Sequence, residues 1–125
     1  MRPIAFFALS ATAFLAACAG TPDPGHDPGG RWVGALVADQ GECPTERTST
    51  LEIRGKEVLF TPADGAQILR GTYHSGDQRY HAELMTLDMN RHPSPVVFNG
   101  YPVGQAIGGT FGSAACRAHI TMTRK

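Results

Sequence analysis

From residue 31 onward, short apolar segments alternate with links that contain glycine or proline, at intervals of 8 to 12 residues. The last of these segments is the clearest, because small or apolar residues occupy every second position: Cys116, Ala118, Ile120 and Met122. Successive side chains of a β-strand point to opposite faces, so this set is predicted to face a core. The whole pattern predicts an all-β antiparallel meander.

Eight short strands are predicted, over residues 32–38, 48–54, 57–61, 67–74, 80–89, 96–101, 105–111 and 116–123. Gly55 and Lys56 are predicted to form a tight hairpin turn. The continuous apolar stretch 58–60 fits either burial on both faces or exposure at a sheet edge. Eight consecutive strands predict one small closed barrel over residues 31–125, a length that supports a single core.

Two of the predicted strands end in glycine, threonine and an aromatic residue, at 71–73 and at 109–111. A glycine inside a strand often marks a bulge or a sharp bend, which a barrel needs in order to close. Chance similarity and a true internal repeat both remain open, so the likeness supports β structure only.

The chain begins with Met1 and Arg2, and the only polar members of the run over residues 4–17 are Ser10 and Thr12. As a helix this run would reach about 21 Å, too short for a hydrocarbon core of about 30 Å. A positive start followed by a short apolar run predicts a secretory signal over residues 1–17. Residues 18–30 follow with three prolines and four glycines, which predicts a flexible tether.

The signal ends in Leu15-Ala16-Ala17-Cys18, which resembles the bacterial lipobox. The resemblance implies lipid on Cys18, cleavage before it, and lasting attachment to a membrane through two or more acyl chains. Ala19, rather than Asp, follows the cysteine, which in the enterobacterial sorting rule favours the outer membrane. The alternative is an incidental cysteine at the end of an ordinary signal peptide or a short buried helix.

Cys43 and Cys116 remain as a pair in a chain that is predicted to reach an oxidising compartment, which favours a disulfide between them. The alternative is that both are ligands of a metal site. A disulfide over this separation would stabilise the fold by roughly 4 kcal/mol in the chain-entropy model. It would also bring the two ends of the sheet together.

The chain carries 11 basic and 11 acidic residues, so its formal net charge is zero. No clustered basic run appears, and nucleic acid is therefore not expected as a partner. The sequence contains no HExxH metal motif, no Gly-x-Ser-x-Gly elbow and no phosphate-binding loop. His81 and Glu83 share a strand face, where they fit either a surface metal site or, more simply, solvated polar side chains. We expect no catalytic residue, no metal and no cofactor.

Gly30-Arg31-Trp32 at the first strand and Arg124 after the last resemble the Gly-x-Trp and late-arginine pattern of the calycin superfamily. In calycins the tryptophan packs across the barrel floor and the arginine covers it by a cation–π contact. The alternative is a plain core tryptophan. The segment from Ser75 to Tyr80 resembles the Ser-Gly-x-Arg-Tyr loop of lysozyme inhibitors, with one extra residue.

Candidate partner-binding residues are aromatic or basic residues near predicted loops, where such side chains often anchor interfaces: Arg79, Tyr80, Phe98 and Tyr101. The alternative for Phe98 and Tyr101 is packing at the barrel end. We therefore expect a non-enzymatic, membrane-anchored envelope lipoprotein whose small barrel binds a protein or an envelope component. The alternatives are an inhibitor of a lysozyme or secreted protease, and a small hydrolase or metal-dependent enzyme.

Overall fold

A computed structural model describes residues 23–74 and 76–125 of the chain. The predicted signal peptide and the predicted lipid attachment site, Cys18, lie outside the described residues. The described part contains nine strands and one short 3-10 helix, which spans Pro62–Asp64. The strands are β1 (Gly30–Gly34), β2 (Val37–Gly41), β3 (Ser49–Arg54), β4 (Glu57–Thr61), β5 (Leu69–His74), β6 (Arg79–Leu87), β7 (Pro93–Val103), β8 (Ala106–Gly112) and β9 (Cys116–Arg124).

The strands form a closed antiparallel barrel, as the sequence pattern predicts. From β3 to β9 each strand pairs with the next, and β1 lies between β3 and β9. The ring is closed where Trp32 pairs with Arg124 and Val33 pairs with Thr123. The remaining strand, β2, pairs only with the first half of β9 among the described strands.

The predicted strand over residues 32–38 is divided into two pieces in the structure. The chain leaves β1 after Gly34, passes the buried Leu36, and resumes along β9 as β2. Gly34 lies so close to β9 that an added Cβ would be 2.2 Å from the carbonyl oxygen of Thr121. This close approach lets β1 contact both of its neighbours at the point where the barrel closes.

The antiparallel register gives the barrel two distinct ends. The Trp32 end carries β1's first residue, the turns after β3, β5 and β7, and the C-terminus. The Cys116 end carries the connections 42–48, 62–68, 88–92 and 113–115. Each end is therefore built from segments that are far apart in the sequence.

Side chains fill the interior of the barrel. The predicted alternation in β9 is confirmed, because Cys116, Ala118, Ile120 and Met122 are buried and the residues between them are exposed. In β4, Val58 and Phe60 are fully buried while Leu59 is only partly buried, so this strand has one inward face. The rings of Phe60 and Phe98 stack at 4.2 Å between centroids, which is typical of a close-packed aromatic core.

Cys43 and Cys116 form a disulfide, as predicted, with their Cα atoms 5.0 Å apart. The bond holds the connection 42–48 against the first residue of β9. Because both sulfur atoms are joined to each other, the alternative of two metal ligands does not apply.

The bulge or sharp bend considered for Gly71 and Gly109 is not where the ladder is irregular, because the register shift lies between Ala38 and Gln40. The two glycines instead lie where neighbouring strands approach closely. A Cβ at Gly71 would be 1.8 Å from the carbonyl oxygen of His81. A Cβ at Gly109 would be 2.9 Å from the carbonyl oxygen of Asn99. These positions therefore require glycine for space.

Replacing Gly71 by alanine should lower the free energy of unfolding by about 1–3 kcal/mol, because the new methyl group overlaps the backbone of β6. Gly76→Ala is the matched control, since nothing lies within 4 Å of a Cβ at that position. Urea unfolding followed by tryptophan fluorescence measures both. Equal midpoints for the two variants would contradict this account of Gly71.

Candidate functional site

Two of the four candidate partner-binding residues face the core, which differs from the exposed position expected of them. Tyr80 and Phe98 are fully buried. In β6 and β7 the even-numbered positions point inward, so both rings pack inside the barrel. Arg79 and Tyr101 are exposed on neighbouring strands at the Trp32 end, and their partner-binding role stays a prediction.

Tyr80 holds the N-terminal segment against the barrel. Its hydroxyl donates a hydrogen bond of 2.6 Å to the carbonyl oxygen of Pro24, and Pro24 is itself buried. The ring of Tyr73 stacks against it at 5.1 Å. Burial, followed by the proximity of Tyr73, raises the pKa of the Tyr80 phenol far above its usual value of 10.0.

Residues 23–29, which we call the N-terminal strap, lie across the Trp32 end. The indole Nε1 of Trp32 donates to the carbonyl oxygen of Pro28 at 2.9 Å, and Arg124 donates to the carbonyl oxygens of Asp27, at 2.8 Å, and Gly29. The expectation of a flexible tether through residue 30 therefore differs from the structure over these residues. The reason is that barrel side chains donate to the carbonyl groups of a segment whose prolines lack N–H groups.

Trp32 and Arg124 also make the contact that the calycin resemblance implies. The guanidinium carbon of Arg124 lies 4.3 Å from the centroid of the Trp32 ring. A cation in this position is attracted to the negative face of the ring. The same arginine therefore contacts the first strand and the strap together.

The Cys116 end contains a cleft of about 560 Å³. Its apolar floor includes Val96 and Phe111, both nearly buried. Its rim includes Leu87 and Met89, whose side chains are 65% and 100% exposed. The charged residues that line it are Glu42 and Asp88. We call this site the Cys116-end cleft.

An apolar ridge adjoins this cleft on the outside of the barrel. The register pairs Met85 with Pro95 and Leu87 with Pro93, and directly opposed residues share a face. All four are exposed, and Met89 extends the set at the tip of the hairpin. We call these five residues the β6–β7 ridge.

The histidines on the outer surface have polar partners. His81 Nδ1 lies 2.6 Å from Asn99 Oδ1, and His81 Nε2 lies 2.9 Å from Glu83 Oε1. The hydrogen bond with Asn99, followed by that with Glu83, raises the pKa of His81. Within residues 23–74 and 76–125, no group of three or more His, Cys, Asp or Glu is arranged to hold a metal ion.

The loop that the resemblance to lysozyme inhibitors singles out and the β6–β7 ridge lie at opposite ends of the barrel. The turn over residues 76–78 is at the Trp32 end, where Gln78 Nε2 donates to the carbonyl oxygen of Gly25 at 3.1 Å. The tip of the ridge is at the Cys116 end. They do not form one surface, and none of the four candidate partner-binding residues belongs to the ridge.

No protein-family model, curated protein or solved structure matches this chain. Among the residues that the structure describes, no helix is long and apolar enough to cross a membrane. We define the candidate site from the structure alone, as the Cys116-end cleft together with the β6–β7 ridge.

Replacing Tyr80 by phenylalanine should lower the free energy of unfolding by about 1–2 kcal/mol, because the buried carbonyl group of Pro24 loses its donor. Limited proteolysis should also cut the strap faster, while the barrel stays intact. Tyr73→Phe is the matched control, since Tyr73 stacks on the same ring but is only partly buried.

The raised pKa of Tyr80 gives a second measurement. Because the folded protein favours the protonated phenol of Tyr80, this group stabilises the folded state fully below the unfolded pKa of about 10. That contribution to the free energy of unfolding is lost as the pH rises above this value. The wild-type protein should therefore lose stability above pH 10 more steeply than Tyr80→Phe. Parallel stability curves would contradict the assignment.

Proposed function

We propose that this chain is a lipid-anchored protein of the bacterial cell envelope with a calycin-like barrel. The lipobox letters at Cys18 support the anchor, and Ala19 supports the outer membrane as its location. The Cys43–Cys116 disulfide is consistent with an oxidising compartment outside the cytoplasm. The contact between Trp32 and Arg124 supports the calycin-like relationship.

The barrel itself acts as a non-enzymatic binding module in this proposal. The observation that carries it is the apolar surface at the Cys116 end, where the floor of the cleft continues into the exposed β6–β7 ridge. Contiguous exposed apolar patches on soluble proteins are typical of surfaces that bind another protein. The interior is filled by side chains, so this open surface offers the most room for a partner.

The form of the surface favours a protein over a small molecule. The cleft has room for one or two large side chains, and the ridge continues beyond it over a second strand. Glu42 and Asp88 at the cleft favour a segment that is neutral or basic. Inhibition of a lysozyme or protease is a special case, in which the bound protein is an enzyme.

The mature protein isolated from membranes of its native host should have a mass that begins at Cys18 and includes acyl chains. Cys18→Ala should remove the acyl mass and release the protein from the membrane fraction. Intact mass spectrometry measures both. An unacylated wild-type protein that begins elsewhere would refute the anchor and leave the binding proposal to be tested separately.

A photo-crosslinking residue at position 89 should give a discrete protein adduct in the native host, because Met89 is fully exposed at the tip of the ridge. The matched position is 103, since Val103 is half-exposed and apolar but lies at the Trp32 end. Leu87→Ser should reduce the adduct from position 89 at least several-fold. Equal labelling from both positions would contradict the proposed surface.

A further inference from the structure

The N-terminal strap determines where the proposed lipid would be attached to the barrel. Pro24 is buried and bonded to Tyr80, so the chain enters the described structure at the Trp32 end. Five Cα-to-Cα steps separate Cys18 from Asp23, and a fully extended chain covers at most about 18 Å in that number of steps. The Trp32 end is therefore confined to the neighbourhood of the lipid.

The length of β6 sets how far the Cys116 end stands from the strap. From Tyr80 to Leu87, where β6 ends, the strand advances about 3.3 Å per residue, with the tilt of about 40° that is common in barrels. Leu87 then lies about 18 Å from Tyr80 along the barrel axis, which equals the full reach of the five steps from Cys18. A barrel that stood on its Cys116 end would need these steps fully extended, whereas a barrel that stands on its Trp32 end would not.

The charges at the two ends agree with this orientation. Exposed cations at the Trp32 end are Arg31, Arg54, Lys56, Arg79 and Lys125, and the carboxylates that face the same end are Asp23, Asp27, Glu52, Glu57 and Asp77. One of the cations, Arg54, is paired with Glu52 at 3.1 Å. At the Cys116 end the exposed cations are Arg47, Arg91 and Arg117, and the exposed carboxylates are Glu42, Glu46, Asp64 and Asp88. The side chains named at the Trp32 end balance, whereas those at the Cys116 end include one more carboxylate than cations, so an anionic lipid surface would repel the Cys116 end slightly more.

The Trp32 end also presents side chains that suit a membrane interface. Tyr101 is 48% exposed, and its ring lies beside Gly108, where an added Cβ would be 3.1 Å from Tyr101 Cε2. Val103 is 50% exposed two residues further along β7. A tyrosine ring with a polar tip, beside basic residues such as Arg79, is typical of the headgroup region of a bilayer.

We infer that the barrel stands on an anionic lipid surface with its Trp32 end toward the bilayer and its Cys116-end cleft toward the aqueous phase. This inference rests on the proposed lipid anchor at Cys18. It assigns the two exposed apolar regions to different partners, with lipid at Tyr101 and Val103 and a soluble protein at the β6–β7 ridge. It also gives a role at the membrane to Arg79 and Tyr101, the two predicted partner-binding residues that are exposed.

Energy transfer from a fluorophore on the protein to acceptors in the lipid headgroups tests the orientation. The fluorophore is attached through an azide-bearing residue at position 56, at the Trp32 end, or at position 90, at the Cys116 end. The chain from Cys18 onward is coupled at Cys18 to a maleimide phospholipid in vesicles of phosphatidylglycerol and phosphatidylethanolamine. This coupling keeps the test independent of whether cells acylate Cys18.

Transfer from position 56 should exceed transfer from position 90 at least twofold. The double variant Arg79→Ser/Tyr101→Ser should reduce this ratio, whereas the control Arg91→Ser, at the opposite end, should leave it unchanged. Equal transfer from both positions, or stronger transfer from position 90, would overturn the inference. Failure of acylation in the host would instead refute the anchor and would not alter this ratio.

Discussion

The contact between Trp32 and Arg124 joins the parts of the barrel that are farthest apart in the sequence. Their backbones pair where the first strand meets the last, and the guanidinium group covers the indole ring. The same two side chains donate to carbonyl oxygens of Pro28, Asp27 and Gly29. Barrel closure and the docking of residues 27–29 therefore share one pair of residues, while Tyr80 and Gln78 hold the first part of the strap.

Because the strap closes one end, the two ends of the barrel differ in what they can present. At the Cys116 end the short helix is held by Ser49, which accepts from the Ala63 N–H at 2.8 Å, and by Thr50, which donates to Asp64 at 2.6 Å. The disulfide holds the adjoining connection. These contacts cover only one side of that end, and the cleft remains on the side of β6 and β7.

The features that follow from local alternation could be predicted from the sequence, and those that depend on distant partners could not. The inward face of β9 and the hairpin at Gly55 and Lys56 were predicted because period and turn chemistry are local. The division of the first strand depends on the approach of Gly34 to Thr121, which no local pattern reveals. The strap has the composition of a flexible linker, and only donors such as Tyr80 make it ordered.

The exposed ridge did leave a signal in the sequence, and that signal bears on function. From Tyr80 to Leu84 the inward apolar residues of β6 are at even positions, while the apolar residues that follow, Met85 and Leu87, are at odd positions. In a regular strand the even-numbered side chains all point to one face and the odd-numbered ones to the other, unless a bulge intervenes. The pairing of β6 with β7 has no bulge. The odd-numbered apolar side chains must therefore point outward. Packing of the core does not account for methionine and leucine at these positions, and the proposed binding surface includes them for this reason.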